Sequence, residues 1–308
     1  MQVWPRKRAK RSIAKVRYWH DNNTNKLLAF IGYKAGMTHS IIRDHSPHTQ
    51  YKNEDVSIPI TIIECPPLKP LSLRFYQNSY YGLKCIAEVY SKAIPKDLKK
   101  YINAQKKEVK EPESFDEVRL IVSTQPHLAG FGQKRPSLIE VAASGKNKEE
   151  KIAYLKSLLD KDIRIQDIFK EQKFLDVHGV TKGKGYQGTV KRFGVTIRQH
   201  KAEKTKRGIG TLGSWHPSKV QFTVPQAGRM GYHQRTEYNK ENLLIDADPK
   251  KINPKGGFLH YGMVKNDYII LKGSIVGPAK RAVILTPNMR KKSSHNYEIK
   301  HISLESKQ

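Results

Sequence analysis

The sequence has little of what most enzymes and secreted domains are built on. Of 308 residues only Cys65 and Cys85 are cysteine, with no CxxC pair, too few thiols for a zinc ribbon or a disulfide scaffold. Both are expected to be reduced, buried small hydrophobes. Long apolar runs are missing too: the longest, Val56 to Cys65, contains Pro59 and falls far short of the ~20 residues that span a bilayer. No apolar segment follows the charged start of the chain, so no secretory signal is expected and the protein reads as soluble and cytosolic. Carboxylates are scarce, with 28 Asp plus Glu against 57 Lys plus Arg and a formal charge of +29. That surplus disfavours an isolated globule by self-repulsion and points to a polyanionic partner. Apolar content is only 37%, thin for a chain of about two domains that buries everything it has.

The surplus is concentrated. Residues 1–20 hold seven Lys/Arg and no acid, and residues 179–235 hold twelve Lys/Arg against one acid, Glu203, with ten of the 21 glycines. Residues 96–171, in contrast, hold sixteen Lys/Arg and thirteen Asp/Glu. All three tryptophans, Trp4, Trp19 and Trp215, fall in the two basic stretches. Indole is normally buried in a core, so flat aromatic and cationic groups facing the bases and phosphates of a structured RNA are the expectation for this set.

Short β-branched runs predict strands at Leu27–Gly32, His39–Arg43, Ser57–Glu64, Leu71–Tyr76, Leu83–Tyr90, Phe174–Val180, Leu243–Asp246, Tyr268–Lys272 and Ala282–Leu285. Turn signals lie at Gly32-Tyr33-Lys34-Ala35-Gly36 and at Asn253-Pro254-Lys255-Gly256-Gly257. Many strands with few helices favour a closed antiparallel barrel. Within 96–171 a short helix is expected to open at Pro95-Lys96-Asp97-Leu98. Strands follow at Arg119–Val122 and Leu138–Ala142, then a helix over Asn147–Leu159 and a last one capped by Asp162 and ending at Phe169. The division is then a basic arm (1–20), the first part of a β-barrel (21–95) and an inserted α+β subdomain (96–171) suited to packing or a protein contact. A barrel strand (172–178), a basic Gly-rich extension (179–235), the rest of the barrel (236–285) and a basic C-terminal tail (286–308) complete it. The extension has no sustained apolar period to offset ordering entropy; alone it should be mobile, and RNA should fix it.

Catalytic readings find little support. Gly183-Lys184-Gly185-Tyr186-Gln187-Gly188 fits G-x-G-x-x-G after a strand. No amphipathic helix is expected beyond Gly188, however, and Gly208 and Ile209 stand where a ribose-binding acid belongs. These glycines better suit backbone N–H groups approaching phosphate. His39, His45 and His48 read as a turn with exposed imidazoles rather than a metal site. No catalytic triad or carboxylate pair stands out. What remains is Gly208 to Pro217, a glycine-rich basic hairpin with Trp215 and His216 at its tip, followed by the Arg, Gly and aromatic mixture of Gly228 to Arg235. The residues expected to meet RNA are Arg6, Lys7, Arg8, Lys10, Arg11, Lys182, Lys184, Lys191, Arg192, Arg198, His200, Lys204, Lys206, Arg207, Trp215, His216, Arg229, His233 and Arg235. No catalytic or metal residue and no cofactor is expected, with Mg2+ or K+ bridging of RNA contacts left open.

Five segments then carry a resemblance: Gly32 to His39, Val180 to Gly188, Gly213 to Pro217, Ala227 to Thr236 and Asn253 to Phe258. In order, and over nearly the whole chain, they resemble the family of the universal large-subunit ribosomal protein number three in its archaeal form. The resemblance implies a mainly β fold, a translation-protein-type antiparallel β-barrel with an α+β insert and long basic extensions, on the outer side of the cytoplasmic ribosome's large subunit. It implies an extension running through ribosomal RNA toward the peptidyl transferase centre with Trp215 at its tip, binding near the 3′ end of that RNA, and a part in early assembly. The N-terminal arm would also enter RNA, and the insert looks like the one archaeal and eukaryotic members carry. Partners would be large-subunit RNA and neighbouring ribosomal proteins, with no membrane and no small-molecule substrate. Eukaryotic relatives place a histidine, often methylated, where this chain has Lys206, so that modification does not transfer. A free-standing RNA chaperone is the alternative, and an RNA-modifying enzyme using the Gly183–Gly188 loop is a further rival.

Overall fold

Thirteen strands form among the residues described by the computed structural model, which are 3–21, 23–47, 49–91, 94, 98, 111–202, 204–290 and 296–306. In chain order they are β1 (Phe30–Asp44), β2 (Asp55–Glu64), β3 (Lys69–Ser79), β4 (Gly82–Tyr90), β5 (Glu117–Ser123), β6 (Leu138–Ala142) and β7 (Phe174–Val180), then β8 (Gly183–Gln187), β9 (Gly228–Gly231), β10 (Gln234–Asp246), β11 (Tyr268–Lys272), β12 (Ala282–Pro287) and β13 (Tyr297–Ile302). Three α-helices accompany them: α1 (Lys148–Leu158), α2 (Ile165–Phe169) and α3 (Thr189–Phe193).

Six strands pair in a closed antiparallel circuit. β1 pairs with β2, β2 with β11, β11 with β10, β10 with β7, β7 with β12, and β12 returns to β1 from Phe30↔Leu285 to Tyr33↔Ala282. Closure leaves no free edge along the circuit. β13 adds to the far half of β1, from Ser40↔Ile302 to Asp44↔Tyr297, so the barrel is not a clean cylinder. β7 is buried along its whole length, Asp176 and His178 included. A second sheet in the order β4-β3-β5-β6 lies beside the barrel. Its Phe75, Leu120 and Val141, together with Leu155, Ile165 and Phe169 of α1 and α2, belong to the same hydrophobic cluster as Phe30, Ile62, Val177 and Ile270 of the barrel. The sequence boundary at 95/96 therefore runs through one sheet, with β3 and β4 on one side of it and β5 and β6 on the other.

Several local expectations are corrected. Gly32 to Gly36 is no turn: it lies inside β1, one strand where two were expected, with a register shift between Lys34 and Gly36. The glycines there serve close packing, since a Cβ on Gly32 would lie 2.5 Å from Ile63 Cγ2 and one on Gly36 2.6 Å from the Phe258 ring. β13 comes from the stretch expected to be a tail. α2 opens at Ile165, where the Asp167 carboxylate accepts from Arg164 N at 3.1 Å, not at Asp162. Cys65 is buried but Cys85 is exposed, and both thiols are free. His39 sits in β1, His45 lies 3.1 Å from Asn53 Oδ1 and 3.3 Å from Glu298 Oε2, and His48 falls outside the described residues. The helix expected to open at Pro95 also falls outside them, apart from Leu98, which is buried with Leu71 and Ile121.

Candidate nucleic-acid interface

The extension begins as a continuation of the barrel. Gly179 and Val180 still belong to β7, and Gln234 and Arg235 already belong to β10. Beyond them Thr181 and His233 exchange hydrogen bonds, Thr181 N donating to His233 O at 2.9 Å and His233 N to Thr181 Oγ1 at 3.1 Å. β8 and β9 carry the two legs outward from Gly183↔Gly231 to Gln187↔Gly228. α3 follows where no helix was expected; its five residues are too few for the helix of a dinucleotide fold, and the glycine motif lies in an antiparallel ribbon. From 194 to 227 the described residues form no strand or helix. The segment around Trp215 is thus a string of bends, not the paired hairpin expected.

The N-terminal arm is laid against this root. Ala14 and Val16 are buried, Ala9 N donates to Tyr232 O at 2.8 Å, and Lys15 and Gln234 are joined by two hydrogen bonds of 3.2 and 2.6 Å. Arg8 and Arg281 place their guanidinium carbons 5.7 and 5.2 Å from the Tyr232 ring centre. Arg281 Nη1 also donates to Val180 O and Thr181 O at 3.1 and 2.9 Å. Arg281 and Tyr232 were absent from the sequence-derived set, since nothing near them in sequence marks them as a pair.

The expected RNA-binding residues divide into two groups. Four are buried or half-buried and engaged within the chain. His233 is 6% exposed and its Nδ1 lies 2.9 Å from Lys7 O. Arg6 Nη1 donates to Arg192 O at 3.1 Å, with the guanidinium 4.3 Å from the Phe193 ring centre. Arg192 spans both legs, Nε donating to Arg229 O at 3.2 Å and Nη1 to Gln226 O at 2.8 Å. A Cβ on Gly228 would lie 2.8 Å from that Nη1. Arg235 is half-buried; burial, with Arg6 close by, lowers the pKa of its guanidinium from the ordinary value. Arg198 is exposed, although one of its nitrogens donates to Ile209 O.

The other group is open to solvent: Lys7, Arg8, Lys10, Arg11, Lys182, Lys184, Lys191, His200, Lys204, Lys206, Arg207, His216 and Arg229. Among the described residues no carboxylate forms an ion pair with these Lys and Arg side chains; the pairs lie elsewhere in the chain. Trp215 is 88% exposed among them. Tyr186 and Phe222, not in the sequence-derived set, are exposed on the same extension. Trp4 and Trp19 correct the expectation for all three indoles. Trp4 stacks on Phe193 at 5.7 Å and meets Phe222 edge-on, and Trp19 packs against the main core.

Among the described residues no group of His, Cys, Asp and Glu is placed to hold a metal, and no helix is long and apolar enough to cross a membrane. The fold and its surface define a strongly basic, mainly β protein. Comparison with known proteins narrows this. The model of the ribosomal protein L3 family matches residues 1–115 and 90–308. The chain is 41% identical over 317 residues to the large ribosomal subunit protein uL3 of Methanocaldococcus jannaschii, covering 99% of this chain and 95% of the relative. The protein of that name from Methanothermobacter thermautotrophicus is 42% identical over 320 residues with the same coverage, and that from Methanopyrus kandleri 39% over 299 residues, covering 93% and 83%. The chain belongs to the ribosomal protein L3 family, whose members are structural proteins rather than enzymes.

Proposed function

We propose that the chain is a structural constituent of the large subunit of the cytoplasmic ribosome. In this reading it binds the subunit's RNA directly near its 3′ end, supports early assembly, and helps organise the peptidyl transferase centre through the extension that carries Trp215. The names of its relatives support the subunit. The observation that carries the rest is Trp215, an 88% exposed indole among exposed cations that pair with no carboxylate of the described chain. Covering a large apolar side chain is worth about 1.5–3 kcal/mol, and nothing in the described chain supplies the cover. The barrel anchors the protein, the exposed Lys and Arg neutralise phosphates that would otherwise repel one another, and the planar groups offer stacking surfaces to unpaired bases. Neighbouring ribosomal proteins are the remaining partners, and Mg2+ or K+ would serve only as bridges between RNA and chain.

The test is binding of the full chain to large-subunit RNA across a salt series. If about half of the exposed cations meet phosphate, log K falls with log salt at a slope of about −5, at roughly 0.7–0.9 per phosphate. Trp215→Ala is expected to cost about 1–3 kcal/mol of binding and to leave thermal unfolding unchanged. A flat salt response, or loss of the fold in Trp215→Ala, would refute the reading.

A further inference from the structure

The second sheet ends at β4, which has a paired neighbour on one side only among the described residues. Open edges template pairing with another strand, and soluble proteins blunt them with proline, charge, bulges or a covering segment. β4 contains no proline, its one irregularity is a register shift opposite Phe75 and Tyr76, and its first five residues are all exposed, Leu83 and Ile86 among them. The two-residue turn joining it to β3 consists of Tyr80 and Tyr81, 97% and 96% exposed, their rings edge to face at 5.3 Å. Such turns favour Asn, Asp and Gly, so two large aromatics there are not explained by the turn. Leu83 also lines a cleft of about 370 Å³ shared with Tyr18, Trp19 and Phe115.

Charge selects the kind of partner. Residues 69–91 and 111–158, which supply the second sheet and α1, hold eight acids and ten bases, against one acid and twelve bases in residues 179–235. The acids at the cleft are already paired, Asp21 with Lys151, Asp116 with Lys148 and Glu117 with Arg119. On the sheet Arg74 bridges Glu88 and Glu140. At β4 and the cleft a phosphate backbone finds only Lys84 and Arg17 outside an ion pair among the described residues, far fewer than on the extension, whereas tyrosine-rich, charge-poor cores are characteristic of protein interfaces.

We propose that β4 and its Tyr80–Tyr81 tip form a docking edge for another protein of the large ribosomal subunit. That protein adds a charge-poor extended segment as a fifth strand and inserts an apolar side chain into the cleft beside Leu83. The inference rests on the reading of the chain as a constituent of that subunit. To test it, benzoylphenylalanine replaces Tyr81 in the full-length chain, and large subunits isolated from cells by sedimentation are irradiated. The expected product is a crosslink to one identified ribosomal protein that survives ribonuclease, with a yield lowered at least about fivefold by Ile86→Lys. Tyr80→Ser, which changes only an exposed side chain, is expected to lower the yield as well. Crosslinking to RNA or to a second copy of this chain, no crosslink in subunits that contain the chain, or a yield indifferent to both substitutions overturns the proposal. Absence of the chain from the subunits overturns the functional reading and this inference with it.

Discussion

Arg192 separates two roles that an arginine in a basic extension can have. Its guanidinium donates to carbonyls 34 and 37 residues away in sequence, Gln226 O and Arg229 O, and lies 5.0 Å from the Phe193 ring centre. It thereby ties the outgoing leg to the returning one beside the Gln187↔Gly228 pair that ends the ribbon. Hydrogen bonds from a charged donor are worth about 1.5–3 kcal/mol each when buried. Arg192 is half-buried, so solvent screening reduces the pair to about 1–2 kcal/mol in total. Lysine keeps the charge but not the forked geometry. Arg192→Lys is therefore expected to speed amide exchange in β8 and β9 by about 5–30-fold, with β7 and β10 unchanged. Arg192→Gln, measured in the RNA salt series, should leave the slope as it was. If exchange is unaffected while the Gln variant flattens the slope by about 0.7–0.9, the loss of one phosphate contact, Arg192 faces RNA and the clamp is wrong.

Two further predictions concern the framework. The Glu64 carboxylate is fully buried and accepts from Lys265 N, Asn266 N and Asn266 Nδ2 at 2.8, 3.0 and 2.8 Å and from the Tyr261 hydroxyl; burial, with Glu64 beside it, pushes the Tyr261 phenol far up. Glu64→Ala strands these donors and is expected to cost about 3 kcal/mol or more in urea unfolding; a loss under about 1 kcal/mol would show that the loop before β11 holds without it. Burial also depresses the His178 imidazolium from 6.5, slightly opposed by Asp176, and the ring lies 3.1 Å from Thr286 Oγ1 and 3.0 Å from Thr236 Oγ1. As pH falls below 6.5 the unfolded chain takes up this proton before the folded one, so the contribution is intact above 6.5 and lost on acidification. Thermal unfolding between pH 7 and 5 should fall less steeply in His178→Gln; equal slopes would exclude His178 as a source of acid sensitivity.

Local patterns revealed much of the framework. β6, β7 and β11 were predicted residue for residue, and β2, β3, β4, β5 and β12 to within a few residues, because burial on both faces or one leaves a period within a single strand. What misled was glycine: in Gly32 to Gly36 it permits Ile63 and Phe258 to pack close, and a sequence does not distinguish that use from a turn. The tail misled for a related reason, since β13 is held by β1 across the whole chain; the arm is likewise held by Tyr232, His233 and Gln234, and neither partner lies nearby in sequence.

The sequence alone determined that this protein is strongly basic and mainly β, and that its charge is gathered in two stretches with Trp215 in one of them. Composition and spacing suffice for that, because charge is additive and strand periods are local. Tertiary structure decided which cations face outward. Arg6 meets a carbonyl 186 residues away and His233 one 226 residues away, and a hydrogen bond closing a loop of that length leaves no trace in the residues beside either partner. The same long-range closure draws Trp4 and Trp19 inward and leaves Trp215 in water.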